Sequence, residues 1–363
     1  MTLLRSRRFT VAAAALAMLG AGAACARAEP KKVELEWLGA TASIDPLYAY
    51  VSIAKEMGYL KTPSMEISLQ VTPMNGVTVA PVAAGRAPIG YTNAESVLFP
   101  LADGQDPGIT FFFNLNREPI FPTVVLPDSA IRSIADLKGK VIGTQALAGG
   151  PIPYIKGVMK SLGFDPDKDI EFSAVGAGPG ALTELQRGNV AALILAETQI
   201  ASYENLGAKF RYLPQEAYTK VYVSGGLFVR RDYLPSHKAE LCTFGQGIAK
   251  GLEFLLANEE AAVRLHWKYY PETKPKGVDD SVALQQTLHI LRARSAKYDP
   301  RTHGIDKYAV YIPEEWQAVV KALGLDAKIP PAKIAQLYSN DLVDCINNFD
   351  REKIRAEARN FKM

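Results

Sequence analysis

Apolar and polar positions along this chain follow two rhythms. From residue 31 to about 230, short stretches of period two repeatedly give way to stretches of period near 3.6, the pattern of strands interleaved with helices. Val33, Leu35 and Trp37 predict a strand ending at Gly39; 47–59 predicts a helix; Ile67, Leu69 and Val71 predict a strand over 65–71. A helix over 77–84, a strand over 88–91, a helix over 94–102 and a buried strand over 109–113 follow. The polar run Asn114-Leu115-Asn116-Arg117-Glu118-Pro119 then interrupts the pattern and predicts a crossing between two lobes. Beyond it, strands are expected over 123–126, 140–143, 170–175 and 190–195, with a helical turn at 134–139. A helix over 154–162 places Ile155, Val158, Met159 and Leu162 on one face. The 222–229 segment, with Gly225-Gly226, predicts the return crossing. From Ala239 onward the pattern is helical: Ile248, Leu252, Leu255, Leu256 and Ala262 trace a core-facing stripe, and further helices are expected near 282–292 and 314–323.

This order predicts an α/β protein of two lobes, each a mostly parallel sheet flanked by helices, with a helical C-terminal extension. The first lobe is discontinuous, 29–117 with 224–363, and 118–223 forms the second; the C-terminal helices are expected to pack on the first. A chain of 363 residues, 48% hydrophobic and 22% charged, has length and apolar content for two cores. A formal charge of +3 without a Lys/Arg stripe argues against nucleic acid as a partner.

That charge belongs largely to the first residues. Arg5, Arg7 and Arg8 precede the apolar stretch 11–19, and small residues lead to Ala26-Arg27-Ala28, the three regions of a secretory signal peptide in order. Cleavage after Ala28 removes four Arg and no acid, taking the formal charge from +3 to about −1. Arg7-Arg8 fits the twin-arginine export pattern poorly, so the general secretory route and a periplasmic destination are expected. A lipid-modified Cys25 is disfavoured, because Gly22 stands where such sites carry Leu and cleavage after Ala28 removes the cysteine. Cys242 and Cys345 remain, in a compartment that permits disulfides. They either pair or stand as separate buried thiols, and sequence separation does not decide between the two. His237, His266, His289 and His303 lack metal-ligand spacing.

Three stretches resemble the periplasmic solute-binding receptors of ABC importers, in the group for alkanesulfonates, taurine, nitrate and the pyrimidine precursor of thiamin. Asp136-Leu137-Lys138-Gly139-Lys140, within 129–143, resembles that family's entry into its second lobe. Leu185-Gln186-Arg187-Gly188-Asn189-Val190-Ala191-Ala192 is similar to its helix, glycine, strand step. Tyr338-Ser339-Asn340-Asp341-Leu342-Val343 with Asn347-Asn348-Phe349-Asp350 is similar to the tail of its pyrimidine-precursor branch. The resemblance covers most of 31–350 and implies a type II periplasmic binding protein: a monomer without cofactor, binding a small solute between its lobes and delivering it to a membrane permease. It implies no enzymatic activity; relatives that make the pyrimidine use a histidine and a cysteine-rich stretch, and this chain has no cysteine cluster.

On that map, the cleft is lined by loops at the C-terminal ends of strands and by helix N-termini, which hold polar groups through unpaired N–H groups and the helix dipole. The resemblance places Thr41, Asp45 and Tyr48 after the first strand. Thr92 and Asn93 open the next helix and serve equally well as its N-cap. Gly149 and Gly150 precede the helix carrying Tyr154, either as a close backbone approach to solute or as a plain tight turn. Arg117 is the candidate charge partner for an anion or a solvated linker residue, and Glu197 meets an amine or hydroxyl or caps its helix. Trp37, Tyr48, Tyr91 and Tyr154 supply rings for stacking, with Trp37 on a core strand. A competing pattern is Val175-Gly176-Ala177-Gly178-Pro179-Gly180-Ala181, which places Gly176, Gly178 and Ala181 as a dinucleotide fingerprint requires and suggests an exported oxidoreductase with a nucleotide cofactor. Its helix is only about two turns long, and the same glycines, Gly178 among them, also suit a loop approaching a solute.

Overall fold

A computed structural model describes residues 33–39, 44–61, 65–71, 77–147, 150–215 and 223–362. Segment 1–28, with Cys25, lies outside them.

The strand signals assemble into two five-stranded sheets. The first contains β1 (Val33–Gly39), β2 (Met65–Val71), β3 (Ile89–Asn93) and β4 (Ile109–Asn116), and the second β5 (Thr123–Val125), β6 (Lys140–Thr144), β7 (Ile170–Ala174), β8 (Ala192–Ile194) and β9 (Arg211–Tyr212); β10 (Gly225–Arg230) returns to the first. Their orders are β2-β1-β3-β10-β4 and β7-β6-β8-β5-β9. Parallel pairing is confined to the triplets β2-β1-β3 and β7-β6-β8. β10 runs antiparallel to β3 and β4, and β5 antiparallel to β8 and β9, because these strands are reached by a crossing segment instead of a helical return. The chain thus leaves the first sheet after Asn116 and rejoins it at Gly225. β9 carries no sequence signal, being two residues of edge strand.

The inner strands β3, β4, β5, β8 and β10 are buried nearly throughout, which is why they read as nearly unbroken apolar runs, whereas the outer strand β2 alternates. On one face of the first sheet, Ile89, Tyr91, Phe112, Leu115, Leu227 and Val229 meet the helices Ala49–Glu56, Lys238–Ala257 and Glu259–Tyr269. On the other, Ile109, Phe111 and Phe228 join Val97, Leu98 and Leu101 of the helix Glu95–Ala102. The second sheet alternates in the same manner: Ala192 and Ile194 face this shared core, while Val124, Leu193 and Leu195 face a smaller one with Leu185, Ile200 and Tyr203.

The helical extension divides between the two sheets, where the apolar pattern predicts packing on the first alone. Helices Lys238–Ala257, Glu259–Tyr269 and Arg351–Asn360 do cover the first sheet. The helix Pro313–Ala322, however, places Trp316, Val319 and Val320 in one core with Tyr154, Ile155, Val158 and Met159 of the helix Pro151–Ser161, on the second sheet. Its apolar stripe is wide enough to need partners on both sides.

Cys242 and Cys345 form a disulfide, with Cα atoms 5.9 Å apart, tying the short helix Val343–Ile346 to the helix Lys238–Ala257. On that long helix Gly251 lies against the backbone of Tyr50, where an added Cβ would sit 2.2 Å from the carbonyl oxygen. The backbone cannot yield as a flexible side chain would. Gly251→Ala is therefore expected to cost about 2–3 kcal/mol of stability, read as a lower urea midpoint with unchanged m-value.

Candidate functional site

The C-terminal ends of the parallel strands converge where the two sheets face each other. After β1, Asp45 precedes a short 3₁₀ turn, Pro46–Tyr48, where proline presets the backbone, and the helix Ala49–Glu56 follows. The C-terminal helices fix this turn: the buried ring of His266 lies 3.1 Å from the Ile44 carbonyl through Nε2, and Tyr298 Oη donates to the Leu47 carbonyl at 3.0 Å. Burial pulls His266 down to about 4, so it serves here as a neutral hydrogen-bonding group. Tyr48 is buried and borders, with Tyr91, Ala196, Thr198, Arg294 and Tyr298, an internal void of about 40 Å³, room for one or two water molecules.

β3 ends in two polar residues, and a third, Glu95, opens the helix after it; none has exposed surface. Thr92, Asn93 and Glu95 are each 0% exposed, yet Thr92 Oγ1, both amide atoms of Asn93 and both carboxyl oxygens of Glu95 lack a hydrogen-bond partner. At the corresponding end of β6, Thr144 Oγ1 is buried without a partner as well. Each such group costs about 1–3 kcal/mol unless something completes it. Burial raises Glu95 to about 8, with its own amide acting in the opposite sense. Burial raises Tyr91, on β3, and Tyr154, on the second sheet's helix, and Glu95 adds to both shifts. β10 makes room for Tyr91 by carrying no side chains at this level: a Cβ at Gly225 would lie 1.9 Å from Tyr91 Oη, and one at Gly226 2.0 Å from Tyr311 Oη. Tyr91 Oη donates to Asn116 Oδ1 at 2.9 Å, and Asn116 Nδ2 to Ser224 Oγ at 2.8 Å, joining the two crossing segments.

Ion pairs occupy the flank. Arg294, on the helix Asp280–Ser295, forms a two-pronged pair with Glu197 at the start of the helix Glu197–Asn205; the two are 5% and 8% exposed, and the Nη2–Oε2 bond is 3.1 Å. Burial works against the guanidinium charge, and Glu197 more than restores it. Lys297 stands 3.8 Å from Glu197 and donates to the Pro119 carbonyl. Asp45 retains some exposed surface but has a buried, unpartnered Oδ1; burial raises it to about 7, against the pull of Arg294.

The structure therefore sorts the expected residues. Tyr48 borders the small void, Glu197 forms the ion-paired flank, Asp45 lies within the field of Arg294, and Thr92, Asn93 and Tyr154 are buried, Tyr154 in the apolar core. Thr92 and Asn93 belong to β3, and the cap position falls to Ala94. Tyr154 donates to Gln215 Oε1 at 3.0 Å. Gly150 is the buried N-cap of the helix Pro151–Ser161. Arg117 does not stand open to an anion: it pairs with Glu315 and donates to the Val310 carbonyl at 2.7 Å. Gly178 is exposed, with open space where a Cβ would be, and its carbonyl accepts from Tyr203, so neither cofactor nor cleft crowding requires a glycine there. Gly176 does need its left-handed φ of 74°, which makes the glycine-rich run a surface turn into a seven-residue helix. Thr41, Gly149 and the Trp37 side chain lie outside the described residues.

Sequence reasoning passes over Glu95 and Arg294. An acid in the first turn is what any helix N-terminus favours, so Glu95 carries no distinctive signal. Arg294 does carry one: it follows Leu284, Leu288 and Leu291 on the buried stripe, where a charge needs a partner.

Residues 45–262 match the family model described as NMT1/THI5 like. The chain belongs to this family. No curated protein matches it. Among solved structures, a Bordetella bronchiseptica RB50 protein is 19% identical with a TM-score of 0.62, covering 92% of this chain and 99% of that one. The alkanesulfonate-binding protein SsuA of Xanthomonas axonopodis pv. citri, bound to MOPS, is 17% identical with a TM-score of 0.57, covering 88% and 98%. The periplasmic aliphatic sulphonate binding protein SsuA of Escherichia coli is 18% identical with a TM-score of 0.54, covering 78% and 92%. At such identities the likeness is one of fold, and this NMT1/THI5-like chain has the two-lobed periplasmic binding protein fold.

The buried acids set a pH dependence. Unfolded, Glu95 releases its proton near 4.5, but folded it holds it to about 8; its protonation stabilises the fold in acid, and this contribution is lost as pH rises through that window. Ligand-free stability should fall by up to about 1.4 kcal/mol per pH unit between the two values for this group. Urea unfolding at pH 5, 6.5 and 8 should show the fall, and Glu95→Gln should reduce it, leaving the part that Asp45 contributes below about pH 7.

Proposed function

We propose that this chain is the periplasmic substrate-binding component of an ABC importer. Its signal peptide is removed after Ala28, its lobes are 29–117 with 224–363 and 118–223, and it works as a monomer without cofactor. It captures a small organic solute between the lobes by hinge closure and delivers it to the membrane permease, performing no chemistry on it. The observation that carries this reading is the set of buried, unsatisfied polar groups at the ends of β3 and β6. A fold that leaves Asn93 and Glu95 wholly enclosed and unbonded is built to be completed by a guest, and the guest reaches them only when the lobes separate. The family and the fold of the sulfonate-binding neighbours support the same role. The oxidoreductase alternative loses its support with the exposed position of Gly178.

Closure in this reading is fastened by the Arg294–Glu197 pair, assisted by Asn205 Nδ2 donating to the Gln286 carbonyl at 2.9 Å and by the His289–Glu204 contact at 2.8 Å. Removing the guanidinium leaves Glu197 buried with Lys297 alone, a loss of about 3–5 kcal/mol. Arg294→Ala is expected to enlarge the radius of gyration in solution scattering, and a bound solute to reduce it again; an unchanged profile would show that the pair does not hold the lobes. For the function itself, a thermal-shift screen of organic solutes should raise the midpoint with one class, since binding adds about 2.7 kcal/mol of stability at a hundredfold excess over Kd. Failure of all classes would count against a receptor.

A further inference from the structure

The helix Asp280–Ser295 continues into a 3₁₀ turn, Ala296–Tyr298. Arg294, Lys297 and Tyr298 therefore fall at i, i+3 and i+4, the spacing of one helical face. All three are enclosed: the Arg294 and Lys297 side chains are 5% and 16% exposed, and Tyr298 is 2% exposed. Each reaches a different part of the molecule. Arg294 pairs with Glu197 at the exit of β8. Lys297 donates to the Pro119 carbonyl, in the first crossing, and stands 3.8 Å from the same Glu197. Tyr298 donates to the Leu47 carbonyl at 3.0 Å, in the turn ahead of the helix Ala49–Glu56, and its ring meets that of Tyr50 edge-on at 5.5 Å.

A lysine is seldom buried unless it is paired, and the crossing supplies the reason here. Pro119 is buried in a segment that leaves one sheet for the other, where no ladder satisfies its carbonyl, so the donor has to come from a side chain. His303, a few residues further on, stands 3.4 Å from Glu118, so two neighbouring residues of the crossing are held from one side. Asn116, where the crossing begins, passes the hold to Ser224 on the return crossing. Five residues thus tie the second lobe, the hinge and the first cleft turn to one helix end.

Resting on the receptor reading above, in which the lobes part about the two crossings, we propose that Lys297 and Tyr298 are positioning residues that couple the hinge to the turn Pro46–Tyr48. The first crossing cannot swing without leaving Lys297, and the second lobe cannot part without leaving Arg294. The 3₁₀ turn then keeps Tyr298 as its only anchor of the three, and a short 3₁₀ turn at a helix end is the kind of element that frays first. Opening therefore loosens the cleft turn in the same step. By reciprocity, a solute that orders the cleft turn favours the closed hinge.

The test is hydrogen exchange of the purified protein, read at three amides. The Tyr48 amide donates to the Asp45 carbonyl at 3.0 Å and reports the cleft turn; the Glu197 amide donates to the Ile120 carbonyl at 3.0 Å and reports the crossing. The Ala191 amide donates to the Val141 carbonyl at 2.8 Å, within the second lobe, and is the control. Lys297→Met keeps the stem and removes the donor, and Tyr298→Phe removes one hydroxyl. Each is expected to speed exchange at both Tyr48 and Glu197 by about fivefold or more, the loss of one net hydrogen bond, with Ala191 unchanged. If Lys297→Met speeds Glu197 alone and Tyr298→Phe speeds Tyr48 alone, the two roles are local and the coupling is overturned. The wild-type protein gives a second measurement that needs no variant to fold. In urea below global unfolding, Tyr48 and Glu197 should open with one urea dependence while Ala191 stays protected. Unequal dependence, or opening only together with Ala191, overturns the coupling as well. Both overturning results leave the receptor standing, because solute binding in the thermal-shift screen requires no such link. A screen that fails while the two amides open together removes the receptor and keeps the link.

Discussion

The Arg294–Glu197 pair holds together two helices that no strand connects. Glu197 stands where the chain leaves β8, and Arg294 at the end of the helix Asp280–Ser295, so this bidentate contact joins the second sheet's side of the molecule to the first's along one flank. A charge pair this deeply buried gains little net stability, because two desolvation penalties oppose the attraction. What it supplies is orientation, since the planar guanidinium accepts the carboxylate in few arrangements. The pair's charges also act on their neighbours: burial raises Asp45 while Arg294 draws it back, and burial lowers Lys297 while Glu197 opposes that.

On the opposite side the sheets are joined differently. The core containing Trp316, Val319 and Val320 runs without interruption from Phe111 and Phe228 of the first sheet to Ile142 and Ile194 of the second. Separating surfaces of this kind costs about 25 cal/mol for each Å² of apolar area exposed, whereas a polar seam exchanges its contacts for water at smaller net cost. On the receptor reading, the lobes therefore part on the ion-paired side and pivot on the apolar one.

Much of this architecture was legible in the alternation of residues, because strands buried on both faces leave an apolar signature that side-chain detail cannot disguise. Phe111, Phe112 and Phe113 mark β4, and Gly225-Gly226 marks the return to the first sheet. Boundaries drifted where local chemistry intervened: Pro46 turns the start of the expected 47–59 helix into a 3₁₀ turn. The site was less legible for a physical reason. Whether Arg117 is free or engaged depends on Glu315, nearly two hundred residues away, and the Cys242–Cys345 pairing depends on a Cα separation that only the tertiary fold creates. Glu95 looked ordinary because its type suits a helix start; only the absence of any partner sets it apart.

The paired glycines of β10 have a consequence for how such a site can change over generations. Any side chain at Gly225 or Gly226 collides with Tyr91 or Tyr311, so this strand can contribute no new group to recognition and cannot drift without dismantling the tyrosine packing. On the receptor reading, variation in what is carried has to arise elsewhere, for instance on the neighbouring strand and the helix it leads into, at Thr92, Asn93 and Glu95, while the glycine floor stays constant.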